Sequence, residues 1–439
     1  MEELQSIINQ IAIQVDKHGG KVFYVGGYVR DLYLGKEPSD IDVRVIGISK
    51  KDFSKILKEF GQICWIDAKY EIVKLIGFDI DFASPENKDG SVKNIEDLTQ
   101  GVDFTMNSIF MDVLTGDVID PFNGIQDIQN RVIRIAKLDE VEDEFLAIRA
   151  CRFKAKLGFT IDEESAKRIK GFSFENVKTQ RILPELRKVL NNPSISQSEF
   201  YRVAFELGIL GKLFEPLQKI HGLQVETKGI KVDAFEHTMK MLDFLMRFKD
   251  RIDDFEEYYM ICLTYHLRTV GQDRAIDEFR EFFNNIIATN KMKSTVNFFQ
   301  DNEESLFGIY SSFQGMSAET FAEIYRKYRR RLEFSGYAIE SFRMAAKDEL
   351  TEEDLLKSKE RVDAWEQKIV EAREANIISL KAPKHKSRKR KMKKVLPTER
   401  DGYTLEDVNH LTRDITPADV KKHFNNSISK KRGRNGRYR

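Results

Sequence analysis

The segment Val25–Arg44, VGGYVRDLYLGKEPSDIDVR, concentrates residues whose types and spacing suit a phosphorylated substrate. An apolar run ends at Gly26-Gly27, and a helix is expected from about Tyr28. Two glycines at such a junction let the main chain approach a phosphate closely, and the helix N-terminus offers oriented N–H groups. Arg30, one turn further on, could reach back to the same anion. About ten residues later Asp40 and Asp42 stand two apart at the start of a strand, so alternation puts both carboxylates on one face. There they could share Mg2+. One ion so held can bridge the phosphates of a nucleotide, and a second can activate an attacking hydroxyl. Asp81, within Phe78–Phe82 (FDIDF), becomes a third carboxylate if its strand lies alongside. Taken singly, Gly-Gly before a helix is commonly just a turn, and D-x-D is frequent on surface strands. Their combination, in the order strand, Gly-Gly, helix, strand, D-x-D, points to nucleotide chemistry.

The elements that must position these residues follow from periodicity. Lys21–Val25, Ile41–Ile46, Ile72–Ile76 and Phe78–Phe82 read as strands, and Leu4–Lys17 and Lys50–Phe60 as helices. Together they make an α/β head of about 120 residues. From about Asp127 strand signals fade and helical spacing takes over, at Glu144–Leu157, Glu163–Lys170, Glu185–Leu190, Ser198–Leu207, Phe235–Phe248 and Glu352–Ala375. The expected class is α+β: a head with a small mixed sheet (1–126), then an all-α neck (127–190), body (191–300) and tail (301–380), then a basic C-terminal extension (381–439).

Composition excludes several classes. The 439 residues include 72 Lys+Arg and 71 Asp+Glu, a net charge of +1. That balance is divided: Lys381–Arg439 holds 19 basic against 6 acidic residues, leaving 53 basic against 65 acidic in the rest. An acidic body with a basic, polyanion-seeking end is the usual meaning of such blocks. Cys64, Cys151 and Cys262 are far apart, which disfavours a disulfide scaffold or a cysteine-based zinc site. No run of 18 apolar residues occurs and Met1–Gln10 already carries acids, so neither a membrane span nor a signal peptide is expected, and the chain reads as cytoplasmic.

Five ordered blocks carry a resemblance to a known family. GGYVRD…DIDV is followed by Asp103–Ser108 (DFTMNS), Asp120–Arg134 (DPFNGIQDIQNRVIR), Glu142–Phe159 (EDEFLAIRACRFKAKLGF) and Gln180–Leu190 (QRILPELRKVL). In this order they resemble the class II CCA-adding tRNA nucleotidyltransferases and bacterial poly(A) polymerases, members of the polymerase-β-like nucleotidyltransferase superfamily. The resemblance spans about residues 20–215. It implies a template-independent RNA 3′-end nucleotidyltransferase, adding C and/or A residues of a tRNA CCA end from CTP and ATP with release of pyrophosphate.

Residue by residue, the resemblance implies that Gly26, Gly27 and Arg30 hold the triphosphate while Asp40 and Asp42 coordinate Mg2+. Asp103 and Asn107 would contact the ribose or organise the site, Asp143 would face the base edge, and Arg149 and Arg152 would support the phosphates. The plainer reading of those two arginines is a surface ion pair with Glu142 or Glu144. Three departures stand out. Gly101 and Val102 occupy positions where the family usually has arginines. Leu146 replaces the arginine that, with the aspartate, reads the base edge. The stretch Asp81–Asp97 is shorter than in full CCA-adding members and resembles CC-adding variants. Altered nucleotide choice is therefore one expectation.

His237 and His266 look like remnants of a His-Asp metal region, but no aspartate follows His266, so a structural role is favoured. In Lys381–Lys394 and Lys430–Arg439, the residues Lys386, Arg388, Lys389, Arg390, Lys391, Lys393, Lys394, Arg432, Arg434 and Arg437 are expected to bind RNA through its phosphates, in a partly disordered extension. A solubilising tail or a localisation signal is the alternative there. For the whole chain the rivals are a poly(A)-polymerase-like tailing enzyme and a catalytically weakened RNA-binding homologue.

Overall fold

A computed structural model describes residues 2–38, 41–66, 72–78, 80–140, 143–174, 182–269 and 288–381. All belong to one compact unit that ends at Lys381. The basic extension lies outside the described residues.

Seven strands form the sheet of the head: β1 (Lys21–Val25), β2 (Ile41–Ile46), β3 (Ile63–Ile66), β4 (Ile72–Leu75), β5 (Ile80–Ala83), β6 (Phe110–Asp112) and β7 (Val118–Ile119). Their order is β3-β4-β5-β2-β1-β6-β7. Only β2 and β5 pair in parallel, so the sheet is mixed, as expected. Alternation sorts its faces. Val22, Tyr24, Val43, Val45, Val73, Leu75, Ile80 and Phe82 are buried in the main core, which also takes in Ile8, Ile11, Val15, Phe53 and Leu57 of the helices Glu2–Lys17 and Lys50–Phe60. On the other face Phe23, Val25, Ile46, Leu98 and Phe110 make a smaller apolar cluster at one end. The rest of that face is open and polar.

Beyond the head the chain is mainly helical, and its apolar residues join the main core as far as Ala372. The helix Phe145–Leu157 packs closely on Gln197–Glu206 and buries Phe145, Leu146, Ile148, Cys151 and Phe153. Arg149, Arg152 and Lys156 fall at three- and four-residue spacing along its remaining side. Two small sheets interrupt the helices: Val132–Ile133 pairs in parallel with Thr160–Ile161, and Gln224–Thr227 forms a hairpin with Ile230–Asp233. The latter means that the segment expected to be an all-helical body carries a hairpin. Lys228 (φ 50°) and Gly229 (φ 78°) make its two-residue turn, which demands left-handed backbone at both positions. Among the described residues no helix is long and apolar enough to cross a membrane.

Candidate active site

The open face of the sheet presents two rows of side chains. In one, Asp42 of β2 is in register with Asp81 of β5, which pairs in turn with Lys74 of β4. In the next row stand Arg44, Ala83 and Ile72. Parallel partners in register point to the same side, so Asp81 stands beside Asp42 as the sequence suggested. Its carboxylate is held 2.7 Å from Lys74 Nζ. Asp40 lies outside the described residues.

The glycine turn abuts this row, because Val25 at the end of β1 pairs with Asp42. Gly26 has φ 67° and ψ −133°, a combination reserved for glycine, and caps a helix of seven residues, Gly27–Tyr33. A Cβ on Gly26 would stand 3.4 Å from Asp42 Oδ2. Glycine thus keeps the space in front of the carboxylate clear. Arg30 is buried, unlike the free reach expected of it. Its Nε and Nη2 donate to Asp31 Oδ1 at 2.8 and 2.7 Å, its Nη1 donates to Asn107 Oδ1 at 2.8 Å, and its guanidinium lies over Phe153.

Asn107 carries the network onward, its Nδ2 donating to both Asp103 oxygens at 3.2 and 3.3 Å. Asp103 also accepts its neighbour Phe104 N–H and forms an ion pair with Arg149. The DFTMNS block is held in place from below. A Cβ on Gly124 would come within 2.1 Å of Thr105 O, so only glycine lets Gly124–Asn130 pack there. Asp120 caps that helix by accepting Gly124 N and Ile125 N at 2.7 and 2.9 Å. Buried Asp127 accepts from Thr105 Oγ1 at 2.7 Å and from Arg134. Two sequence blocks are therefore the two sides of one contact.

Among the described residues the arginines of Phe145–Leu157 pair elsewhere than with Glu144. Arg149 pairs with Asp103, and Arg152 lies 3.6 Å from Glu185 of the helix Ile182–Leu190 and over Phe153. Glu144 instead accepts from Phe174 N and Ser173 Oγ, and Glu142 is outside the described residues. Burial lowers the affinity of Arg152 for its proton, while Glu185 opposes the effect. Burial acts likewise on Arg44, opposed by Asp103 and Asp42.

These groups converge on a cleft of about 460 Å³. Gly26, Gly27, Arg30, Asp42, Asp81, Asp103, Asn107, Arg149 and Arg152 all line it. Asp143 does not. It is exposed at the start of Phe145–Leu157, where its Oδ1 accepts Phe145 N at 3.1 Å. Leu146 is buried in the core. Val102 packs against the small apolar cluster, and Gly101 has φ 64°, a backbone that strains any side chain. Arg44, Lys156 and Lys188 line the cleft and were not anticipated. For Arg44 the signal existed, since D-I-D-V-R continues the alternation of Asp40 and Asp42 by one more step.

His237 and His266 lie apart from this site, in the core. His237 Nδ1 is 2.9 Å from His266 Nε2, and His237 Nε2 is 3.1 Å from Phe342 O. Burial lowers their pKa values to about 4 and about 3. The ten candidate RNA-binding residues, Lys386, Arg388, Lys389, Arg390, Lys391, Lys393, Lys394, Arg432, Arg434 and Arg437, lie outside the described residues.

The mixed sheet brings the glycine turn, Asp42 and the Asp103–Asn107 network to one cleft of the head. Residues 22–134 match the family described as the poly A polymerase head domain. The multifunctional CCA protein of Xanthomonas campestris pv. campestris is 31% identical over 248 residues, 52% of this chain and 59% of that protein. The CCA-adding enzyme of Francisella tularensis subsp. novicida is 32% identical over 216 residues, 44% and 55% of the two chains. This chain therefore matches little more than half the length of these relatives. Among solved structures, a CCA-adding enzyme in complex with ATP aligns with TM-score 0.59 and 20% identity over 84% of this chain and 83% of that one. The Thermotoga maritima CCA-adding enzyme complexed with tRNA aligns with TM-score 0.54 and 20% identity, covering 86% and 96%. At such identities the likeness is one of fold.

Proposed function

We propose that this chain is a template-independent RNA 3′-end nucleotidyltransferase that adds C and/or A residues to a tRNA 3′ end from CTP and ATP. The observation that carries the reading is the convergence of Gly26, Asp42, Asp81, Asp103, Asn107 and Arg149, from separate parts of the sequence, on one cleft. The kinship with CCA-adding enzymes supplies the substrate class. In the reaction, the RNA 3′-oxygen attacks the α-phosphorus of the nucleotide. One P–O bond forms, the bond to the bridging α–β oxygen breaks, pyrophosphate leaves with the electron pair, and the hydroxyl proton passes to solvent.

The donor chemistry and cleared space at Asp42 fit a divalent ion, Mg2+ in this reading, held by Asp42 together with Asp40. When bound, it would bring triphosphate and hydroxyl together and offset their charge. Asp81 would adjoin that site, its own charge already balanced by Lys74. Gly26 and Gly27 would let the triphosphate lie against the main chain. Arg149, Arg152 and Lys156 would face its oxygens from one helix. Arg30 acts through Asn107, fixing its amide so that its Nδ2 is aimed at Asp103. Domain boundaries at 126, 190, 300 and 380, RNA binding by the basic extension and a cytoplasmic location belong to the same reading.

A second reading, altered nucleotide choice, rests on Leu146 and Asp143. A buried leucine offers no hydrogen bonds to a base, and Asp143, which accepts Phe145 N, does not line the cleft. One experiment tests both. The full chain is given tRNA lacking its CCA end, Mg2+ and each NTP in turn, and the extended RNA is sequenced. Incorporation of C and then A fits the first reading, and C alone or a mixed tail the second. A chain that binds the RNA yet adds nothing is a binding homologue.

A further inference from the structure

Late in the chain, where the helices Ala318–Tyr328, Arg330–Ala345 and Glu352–Lys381 pack together, lies a cavity of about 680 Å³. It shares no lining residue with the cleft at Asp42. Four arginines wall it, Arg326, Arg329, Arg330 and Arg373, against two acids, Asp253 and Glu333. Its volume is that of a site for one small ligand.

Two of the arginines are already committed. Arg373 Nε donates to Glu333 Oε1 at 3.0 Å and its Nη2 to Glu333 Oε2, while Arg330 Nη2 lies 2.9 Å from Asp253 Oδ2 and 3.3 Å from Asp254 Oδ2. The other two face no carboxylate among the described residues. Arg326 Nε donates to a neutral amide, Asn376 Oδ1, at 2.6 Å. The guanidinium of Arg329 has no hydrogen-bond or ion-pair partner among the described residues. Two positive charges are therefore left unbalanced in one cavity.

Arg329 also has a backbone unsuited to it. Its φ of 51° and ψ of −137° nearly repeat the 67° and −133° of Gly26, angles that strain any side chain. Glycine would make the same junction between Ala318–Tyr328 and Arg330–Ala345 without strain, so what this residue adds is its charge. An extended polyanion is poorly served here. The adjoining hollow shares Asp253 and is lined by Asp254, Glu256 and Glu257 as well, acids that a strand of RNA laid across this face would meet. A small anion seated between Arg326 and Arg329 avoids them. We propose that the cavity is a binding site for a small phosphate dianion, inorganic phosphate or a phosphate monoester, held by Arg326 and Arg329.

The test is isothermal titration of the full-length protein with inorganic phosphate and, separately, with ribose 5-phosphate; the tighter ligand names the form. Arg329→Gly and Arg326→Gln should each weaken binding about 10–100-fold, the range for losing one charge-assisted hydrogen bond. Arg149→Gln, a change in the cleft at Asp42, should leave that binding unaltered. Without ligand, Arg329→Gly should melt at or above the wild-type temperature, because glycine relieves the backbone. No phosphate binding by wild type overturns the site, and so does binding that both variants retain. Arg329→Gly melting below wild type, with Arg326→Gln still binding phosphate normally, marks the arginines as structural and also overturns it. Affinity for tRNA in a gel shift should not change in either variant; a fall there overturns the small-anion site in favour of an RNA contact.

Discussion

At the residue scale, the site is built from side chains whose alternatives are closed off by contact or by backbone. Asp42 has the clearest role, facing space that Gly26 keeps open. Asp42→Ala should reduce nucleotide incorporation by about 10²–10³-fold or more, the scale of losing one preorganised electrostatic contact with a transition state. RNA affinity in a gel-shift assay should remain. Gly26→Ala tests the backbone instead. At φ 67° and ψ −133° an alanine costs about 1–3 kcal/mol, so a lowered denaturation midpoint should accompany the lost activity. Much of this was legible in the sequence, because glycines and acids at fixed spacing announce themselves without a fold. Arg44 shared the alternation of Asp40 and Asp42, but Lys188 was not legible, since its relevance depends on which helix faces the cleft. Arg30 was legible as important but misread in manner: its partner Asn107 is 77 residues away.

At the element scale, packing decides what strings of residues leave open. β1 and β2 agree residue for residue with the expected strands because they alternate cleanly. β3, β6 and β7 are two to four residues long, too short to show a period. The hairpin Gln224–Asp233 did show one, with Val225, Ile230 and Val232 alternating around Lys228-Gly229, but it stands among strongly helical neighbours. Glycines mark the closest approaches. A Cβ on Gly336 would meet Trp365 Nε1 at 2.5 Å, where the indole donates to Glu333 O at 2.9 Å. Gly336→Ala should therefore destabilise the chain by about 1–3 kcal/mol, the cost of overpacking, measured by urea denaturation. Its nucleotide KM should be unchanged, since Trp365 is no part of the cleft.

At the scale of the whole molecule, two predictions concern charge. Unfolded histidines take up protons near pH 6.5, whereas His237 and His266 resist until about pH 4 and about pH 3. Between those values unfolding takes up protons, so stability falls as pH drops below 6.5 and gains nothing from this pair above it. A His237→Gln, His266→Gln double variant should lose less stability than wild type between pH 7 and pH 4.5 by urea denaturation, whatever its stability at pH 7. Removing the 19-cation segment after Leu380 should weaken RNA binding and flatten the salt dependence of its affinity. Incorporation into short primers should persist.

The Asp103–Arg149 and Arg152–Glu185 pairs have a consequence for biosynthesis. Translation delivers the chain from its N-terminus at about 5–20 residues per second, so Asp42 leaves the ribosome roughly 7–30 s before Glu185. For most of that interval the nascent head has its carboxylates without the arginines that face them, and for the rest of it Arg152 waits for Glu185. The cleft is thus among the last features of the first half of the chain to be completed, and a stalled or prematurely terminated product carrying residues 22–134 would hold the head's sheet without a finished site.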